Sequence, residues 1–208
     1  MRRMAAEYVP LRSLATISQG LSSSGQAAGA RQGSWRVQVV RVGSIQDDRV
    51  VLDERDVLEI EQNARTMRHL LAAGDVLVSA RTTAFKAALV PPLPAATVAD
   101  ATLLVVRARE PNVGAYLWWF LTSTYGRQQA ESRMVGSTTL RSLSAGALGD
   151  VTVPVPERRE VYRIADLVEA SERAYAAGME ETRLRRRAFR EAIVDGLRAA
   201  AGKGEAEE

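Results

Sequence analysis

The sequence predicts an α+β domain of short strands and helices, followed by one long helix. Three observations carry this. Up to Pro156, short β-branched runs alternate with clusters of Gly, Pro, Asn, Asp and Ser, the signature of strands joined by turns. One stretch in that region, Asn112–Gln129, has the spacing of an amphipathic helix. From Glu157 to Arg198 there is no proline, and Ala, Glu, Arg and Leu dominate, which is helix composition. With 208 residues, 46% of them apolar, the chain can bury one ordinary core and carry an appended element.

Pro10–Ile17 is a short opening element, and the Gly-, Ser- and Ala-rich Ser18–Ser34 reads as a long loop. Trp35–Val42 alternates apolar and polar residues at period two, the pattern of a half-buried strand. Val50–Leu52 and Val57–Ile60 are further short strands. Asn63–Leu71 is a turn or short helix ending at Gly74. Asp75–Ser79 is a buried strand. Ala87–Val90 and Ala101–Arg107 flank a turn containing Pro91, Pro92 and Pro94. Asn112–Gln129 starts beside Pro111. Thr138–Leu148 alternates Ser and Thr with Leu, and Val151–Val155 is a strand closed by Pro154 and Pro156. The helix that follows spans on the order of 60 Å if continuous, and Gly178 is a candidate break into two arms.

Composition excludes several chemistries. There is no Cys, so disulfides, Cys-ligated zinc, iron–sulfur clusters and thiol nucleophiles are ruled out. A single histidine, His69, rules out a multi-histidine metal site and reads as a surface or capping residue. No apolar stretch has the length of a membrane span, and no signal-peptide core follows the basic start, so the cytoplasm is the expected compartment. No phosphate-binding glycine loop is present. Asp47–Asp48 reads as a hairpin turn, and Asp53, Glu54 and Asp56 as a solvated acidic turn rather than a divalent-cation site. Ser79 lacks the glycine-flanked elbow of a serine hydrolase. The expectation is a chain without catalytic residues of its own.

Charge points to a partner. The net charge is +3, and nearly all of the positive side is arginine, with Lys86 and Lys203 the two lysines. Residues 1–50 carry about +4, 51–75 about −3 and 107–141 about +3, the pattern of a surface with one face toward a polyanion. Four polar loops concentrate the relevant side chains: Ser18–Gln32, Ser79–Lys86, Tyr125–Arg133 and Gly136–Arg141. Arg reads guanine edges, Gln reads adenine edges, and Ser, Thr and backbone amides hold phosphates. The candidate DNA-contacting residues are Ser22, Ser24, Gln26, Arg31, Arg81, Thr82, Thr83, Lys86, Arg127, Arg133, Gly136, Ser137, Thr138, Thr139 and Arg141. On composition alone, a protein-assembly module that never touches DNA fits as well. Salt dependence separates the two, because each phosphate contact steepens the fall of log affinity with log salt by about 0.9.

Three segments carry a resemblance. Leu70–Thr82 reads LLAAGDVLVSART, Val135–Pro156 reads VGSTTLRSLSAGALGDVTVPVP, and Glu157–Leu167 reads ERREVYRIADL. Together with LRSLATISQG at Leu11–Gly20 and VGSI at Val42–Ile45, their order resembles the DNA-specificity subunits of Type I restriction–modification systems. The resemblance covers Leu11 to about Leu197. It implies a target recognition domain with a curved mixed sheet and flanking helices (1–156) and a long spacer helix (157–198); the small and acidic residues 199–208 read by composition as a frayed tail. It also implies a non-catalytic subunit that binds double-stranded DNA and directs a partner adenine-N6 methyltransferase, with a restriction or translocase subunit in complete phage-defence systems. S-adenosylmethionine would belong to the methyltransferase, leaving this chain without a cofactor. The family's subunits hold two recognition domains. This sequence has one, so the resemblance implies a half-subunit completed as a homodimer reading a palindromic split site. The expected helix interface includes Val161, Ile164, Val168, Tyr175 and Phe189.

Overall fold

The computed structural model describes residues 6–22, 34–137 and 140–204, with side chains as far as residue 198. It contains β1 (Glu7–Pro10), α1 (Leu11–Leu14), β2 (Ala15–Gln19), β3 (Ser34–Val40), β4 (Ile45–Gln46), β5 (Arg49–Val50) and β6 (Val57–Glu61). Next come α2 (Ala64–Met67), β7 (Val76–Ser79), β8 (Arg81–Thr82), β9 (Ala87–Leu89), β10 (Thr97–Ala99) and β11 (Leu103–Ala108). The remainder is α3 (Val113–Thr122), α4 (Thr124–Ser132), β12 (Val135–Gly136), β13 (Arg141–Ser142), α5 (Ala145–Gly149), β14 (Thr152–Val155) and α6 (Arg158–Gly204). The chain is α+β, and it divides into two compact units, Met1–Asp166 and Leu167–Glu208.

The first unit is organised by a six-stranded mixed sheet of order β2-β11-β7-β9-β5-β4. All four residues of β7 are buried; Val76, Leu77 and Val78 are apolar in succession because a strand covered on both faces does not alternate, and Ser79 Oγ accepts from the Lys86 amide at 2.9 Å. Asp47 and Asp48 join β4 to β5 with φ of 48° and 57°. Two successive left-handed residues are what a tight hairpin needs, and Asp tolerates them. A three-stranded sheet, β10-β3-β6, builds a second apolar layer from Val37, Val39, Ile60 and Val98. The main core gathers Val40, Ile45, Leu77, Ala88 and Leu103. β1 and β14 pair antiparallel, which ties the start of the chain to the segment before α6.

The turn into β7 is fixed by charge. Asp75 is 2% exposed. Its carboxylate accepts from the Ala72 amide at 2.8 Å and from Nε and an Nη of Arg107 at 2.8 and 2.6 Å. Arg107 also donates to the Leu70 carbonyl at 2.8 Å. Gly74 supplies the left-handed step (φ 87°) that the turn requires. Gly114 of α3 sits directly on it, since a Cβ at position 114 would lie 2.0 Å from the Gly74 carbonyl oxygen. Neither backbone segment can give way cheaply. Gly114→Ala is therefore expected to destabilise the fold by about 1–3 kcal/mol, as overpacking does, measured by urea unfolding.

Several sequence expectations are corrected. Asn112–Gln129 is two helices: Ser123 is extended (ψ 155°), and its Oγ accepts from the Gly126 amide to start α4. A side chain at Gly126 would meet the Phe120 carbonyl oxygen at 2.0 Å, so the chain folds back tightly on α3. Nor is α3 amphipathic, because Val113 through Phe120 are buried apart from Trp119. The opening element is β1, α1 and β2 in succession, and β2 takes in Ser18 and Gln19 from the expected loop. Thr138–Leu148 supplies β13 and then α5, capped by Ser144 Oγ on the Ala147 amide. Gly178 does not break α6, which runs unbroken to Gly204; Thr182 Oγ1 donates to the Gly178 carbonyl at 2.8 Å. Val161 and Ala165, one turn apart near the start of α6, are buried in the first unit. In the second unit, Tyr175, Leu184, Phe189 and Leu197 are all about half exposed or more.

Candidate nucleic-acid interface

A small antiparallel sheet, β12-β13-β8, joins two of the four loops singled out by sequence. Gly136 pairs with Arg141, and Arg141 and Ser142 pair with Thr82 and Arg81. The Leu143 amide extends the pairing to the Ala80 carbonyl at 2.8 Å. Gly136 has φ 137°, and a Cβ there would meet the Leu140 carbonyl oxygen at 2.4 Å, so this turn requires glycine. Ser137 Oγ accepts from the Leu140 amide at 3.3 Å. Arg81 and Thr83 are exposed. Among the described residues, no hydrogen bond or ion pair engages the Arg81 guanidinium. Val135 on β12 and Leu140 just before β13 are 76% and 54% exposed. The surface thus offers one uncommitted guanidinium, short hydroxyls and a side-chain-free backbone segment, with apolar groups beside them. Those are the elements that phosphate and base-edge contacts use.

The other candidate residues take different places. Thr82 is buried, and its hydroxyl donates to the Ala84 carbonyl at 2.7 Å, shaping the turn. Lys86 Nζ donates to the Ile45 carbonyl at 2.9 Å. Arg127 donates to the Phe85 carbonyl at 3.2 Å, stacks over the Phe85 ring and reaches Asp48 at 3.5 Å. Arg133 donates to the carbonyls of Gln129 and Asp150 at 2.8 and 3.1 Å. Arg141 donates to the Glu131 carbonyl. These four cations brace the loops, whereas Arg81 presents its charge outward. Ser22 follows the bridge between Leu21 and Asp100. Ser24, Gln26, Arg31, Thr138 and Thr139 lie outside the described residues. Of the helix-interface candidates, Val161 belongs to the first unit's core, Ile164 and Val168 are half-buried, and Tyr175 and Phe189 are exposed.

Two carboxylates of the acidic segment hold arginines. Asp53 holds Arg55 at 2.8 Å, and the side-chain and backbone N–H groups of Arg55 push its carboxyl down to about 2. Asp56 pairs with Arg41. Among the described residues, no three His, Cys, Asp or Glu side chains are grouped to hold a metal ion. No described helix is long and apolar enough to cross a membrane.

His69 is more enclosed than a surface residue. Burial lowers its pKa first, Arg65 lowers it further, and a bond with the Gln19 backbone opposes them. The folded chain therefore binds fewer protons than the unfolded chain just below the ordinary histidine pKa, so stability falls as pH drops through that window. His69→Gln is expected to show a smaller loss of stability between pH 7 and pH 5 than the wild type, read from unfolding midpoints.

The sequence matches no protein-family model, and none of the curated proteins matches it. Solved structures do match. The S subunit of a Type I restriction–modification system from M. genitalium aligns over 83% of this chain with a TM-score of 0.54 at 10% identity. The HsdS subunit of Thermoanaerobacter tengcongensis aligns over 83% with a TM-score of 0.55 at 21% identity. The type IIG restriction endonuclease BpuSI aligns over 78% with a TM-score of 0.53 at 10% identity. The chain shares their fold. It spans 40% of the M. genitalium subunit, 44% of the Thermoanaerobacter subunit and 26% of BpuSI.

Proposed function

We propose that this chain is a sequence-specific DNA-recognition subunit of a restriction–modification system, without chemistry of its own. In this reading it directs a partner adenine-N6 methyltransferase, and where present a restriction or translocase subunit, to the target site. The observation that carries it is the β12-β13-β8 surface, which joins the Arg81 and Gly136 loops on a fold shared with S subunits. S-adenosylmethionine is assigned to the methyltransferase. We further propose that the chain pairs with a second copy through α6, where Tyr175 and Phe189 are exposed on the line expected to form the seam. A two-fold pair would read a palindromic split site.

Light scattering of the purified chain, alone and with an adenine methyltransferase subunit, tests the assembly. The expected result is a dimer of about 45 kDa, twice 22.6 kDa, that takes up methyltransferase. A monomer that ignores the methyltransferase contradicts it.

A further inference from the structure

The second unit holds a feature that its near-neutral total charge conceals. Between Thr182 and Arg190 the helix carries Arg183, Arg185, Arg186, Arg187 and Arg190 and no acidic residue. At about 100° per residue, Arg183, Arg186, Arg187 and Arg190 fall within an arc of about 100° on one face. That arc is about a quarter turn from the line of Tyr175, Thr182 and Phe189, so the two faces can be used together. Arg185 points the other way and pairs with Glu181 at 2.6 Å. On the basic face, Arg183 reaches Glu180 at 3.8 Å and Arg187 reaches Glu191 at 2.8 Å. Both pairs are well exposed, and exposed pairs of this kind contribute little and exchange readily. Arg186 and Arg190 have no hydrogen bond or ion pair among the described residues.

We infer that the Arg183–Arg190 face of α6 is a sequence-independent contact for the phosphate backbone of duplex DNA. This rests on the DNA-recognition reading and adds a second contact surface on the helix itself. The occupant follows from charge complementarity and from what the face lacks. A protein interface centres on an apolar core depleted in charge. Within this block the face offers guanidinium groups about one turn apart and no apolar anchor between them, which suits a regularly charged strand.

The test uses the full chain and a labelled duplex of random sequence, with anisotropy followed from low to high salt. Arg186→Gln/Arg190→Gln is expected to flatten the slope of log affinity against log salt by about 2, close to 0.9 for each phosphate that is no longer neutralised. Its helix content by circular dichroism should be unchanged. Arg185→Gln, on the opposite face, is expected to leave the slope at the wild-type value. Wild-type binding with an unaltered slope in the double variant overturns the helix contact and leaves the DNA-recognition reading standing. An equal change in Arg185→Gln also overturns it, since net charge rather than the face would then be responsible. A double variant that loses methyltransferase but keeps the DNA slope reassigns the face to a protein partner. A wild-type chain that binds no duplex at any salt contradicts both readings.

Discussion

Asp75→Ala is expected to cost about 1–3 kcal/mol of stability, the usual loss when a buried donor is left unsatisfied. The carboxylate is almost fully enclosed and satisfies three donors, the Ala72 amide and two nitrogens of Arg107. Its loss strands those donors and frees the turn that launches β7, the all-buried strand near the centre of the main sheet. Arg107 keeps 44% of its side-chain surface in solvent whereas Asp75 keeps 3%, so Arg107→Ala should cost more, about 3–5 kcal/mol, because it leaves a buried carboxylate without its countercharge. The double variant should cost less than the sum of the singles, because both act on one interaction. Equilibrium urea unfolding of the four proteins measures all three quantities. Additive losses would show that Asp75 works through the turn amide alone.

Arg81→Ala is expected to weaken duplex binding by about 10- to 100-fold, the range for one guanidinium contact to a phosphate or base edge. Arg81 stands on β8 beside Ser142, exposed and unengaged among the described residues. Arg133→Ala serves as the contrast. Its guanidinium holds the carbonyls of Gln129 and Asp150, so its removal should lower the unfolding midpoint more than it alters DNA affinity in the folded protein. Anisotropy titrations at fixed salt, paired with thermal melts, separate the two effects. Equal affinity for Arg81→Ala and wild type would remove Arg81 from the interface.

Local chemistry made much of the fold legible. The apolar run at Val76–Val78, the two aspartates at the β4–β5 turn and the proline-free stretch after Pro156 each dictate their element almost unaided. Tertiary contacts decided the rest. The break at Ser123 follows from the close fold-back of Gly126 onto Phe120, which no helical periodicity reveals. The pairing of Ser142 with Arg81 brings together residues far apart in sequence. Loop composition singled out both segments but not their adjacency. The same composition gave no means of ranking the arginines. Arg127, Arg133 and Arg141 look like Arg81 in sequence, yet each is drawn inward by a backbone carbonyl that only the fold places within reach. A carbonyl acceptor leaves no trace in residue identity. The five-arginine block of α6 was legible as residues, but averaging charge over the whole helix hid it.

Selection from a pool of random duplexes decides whether this chain reads DNA sequence. The purified chain, alone and with a methyltransferase subunit, is mixed with the pool, and the retained duplexes are sequenced. Enrichment of one split motif with two-fold symmetry is expected, with degeneracy appearing at a defined position of each half when Arg81 is replaced by alanine. Retained duplexes indistinguishable from the input pool, under conditions where the chain is folded and binds, would contradict sequence recognition.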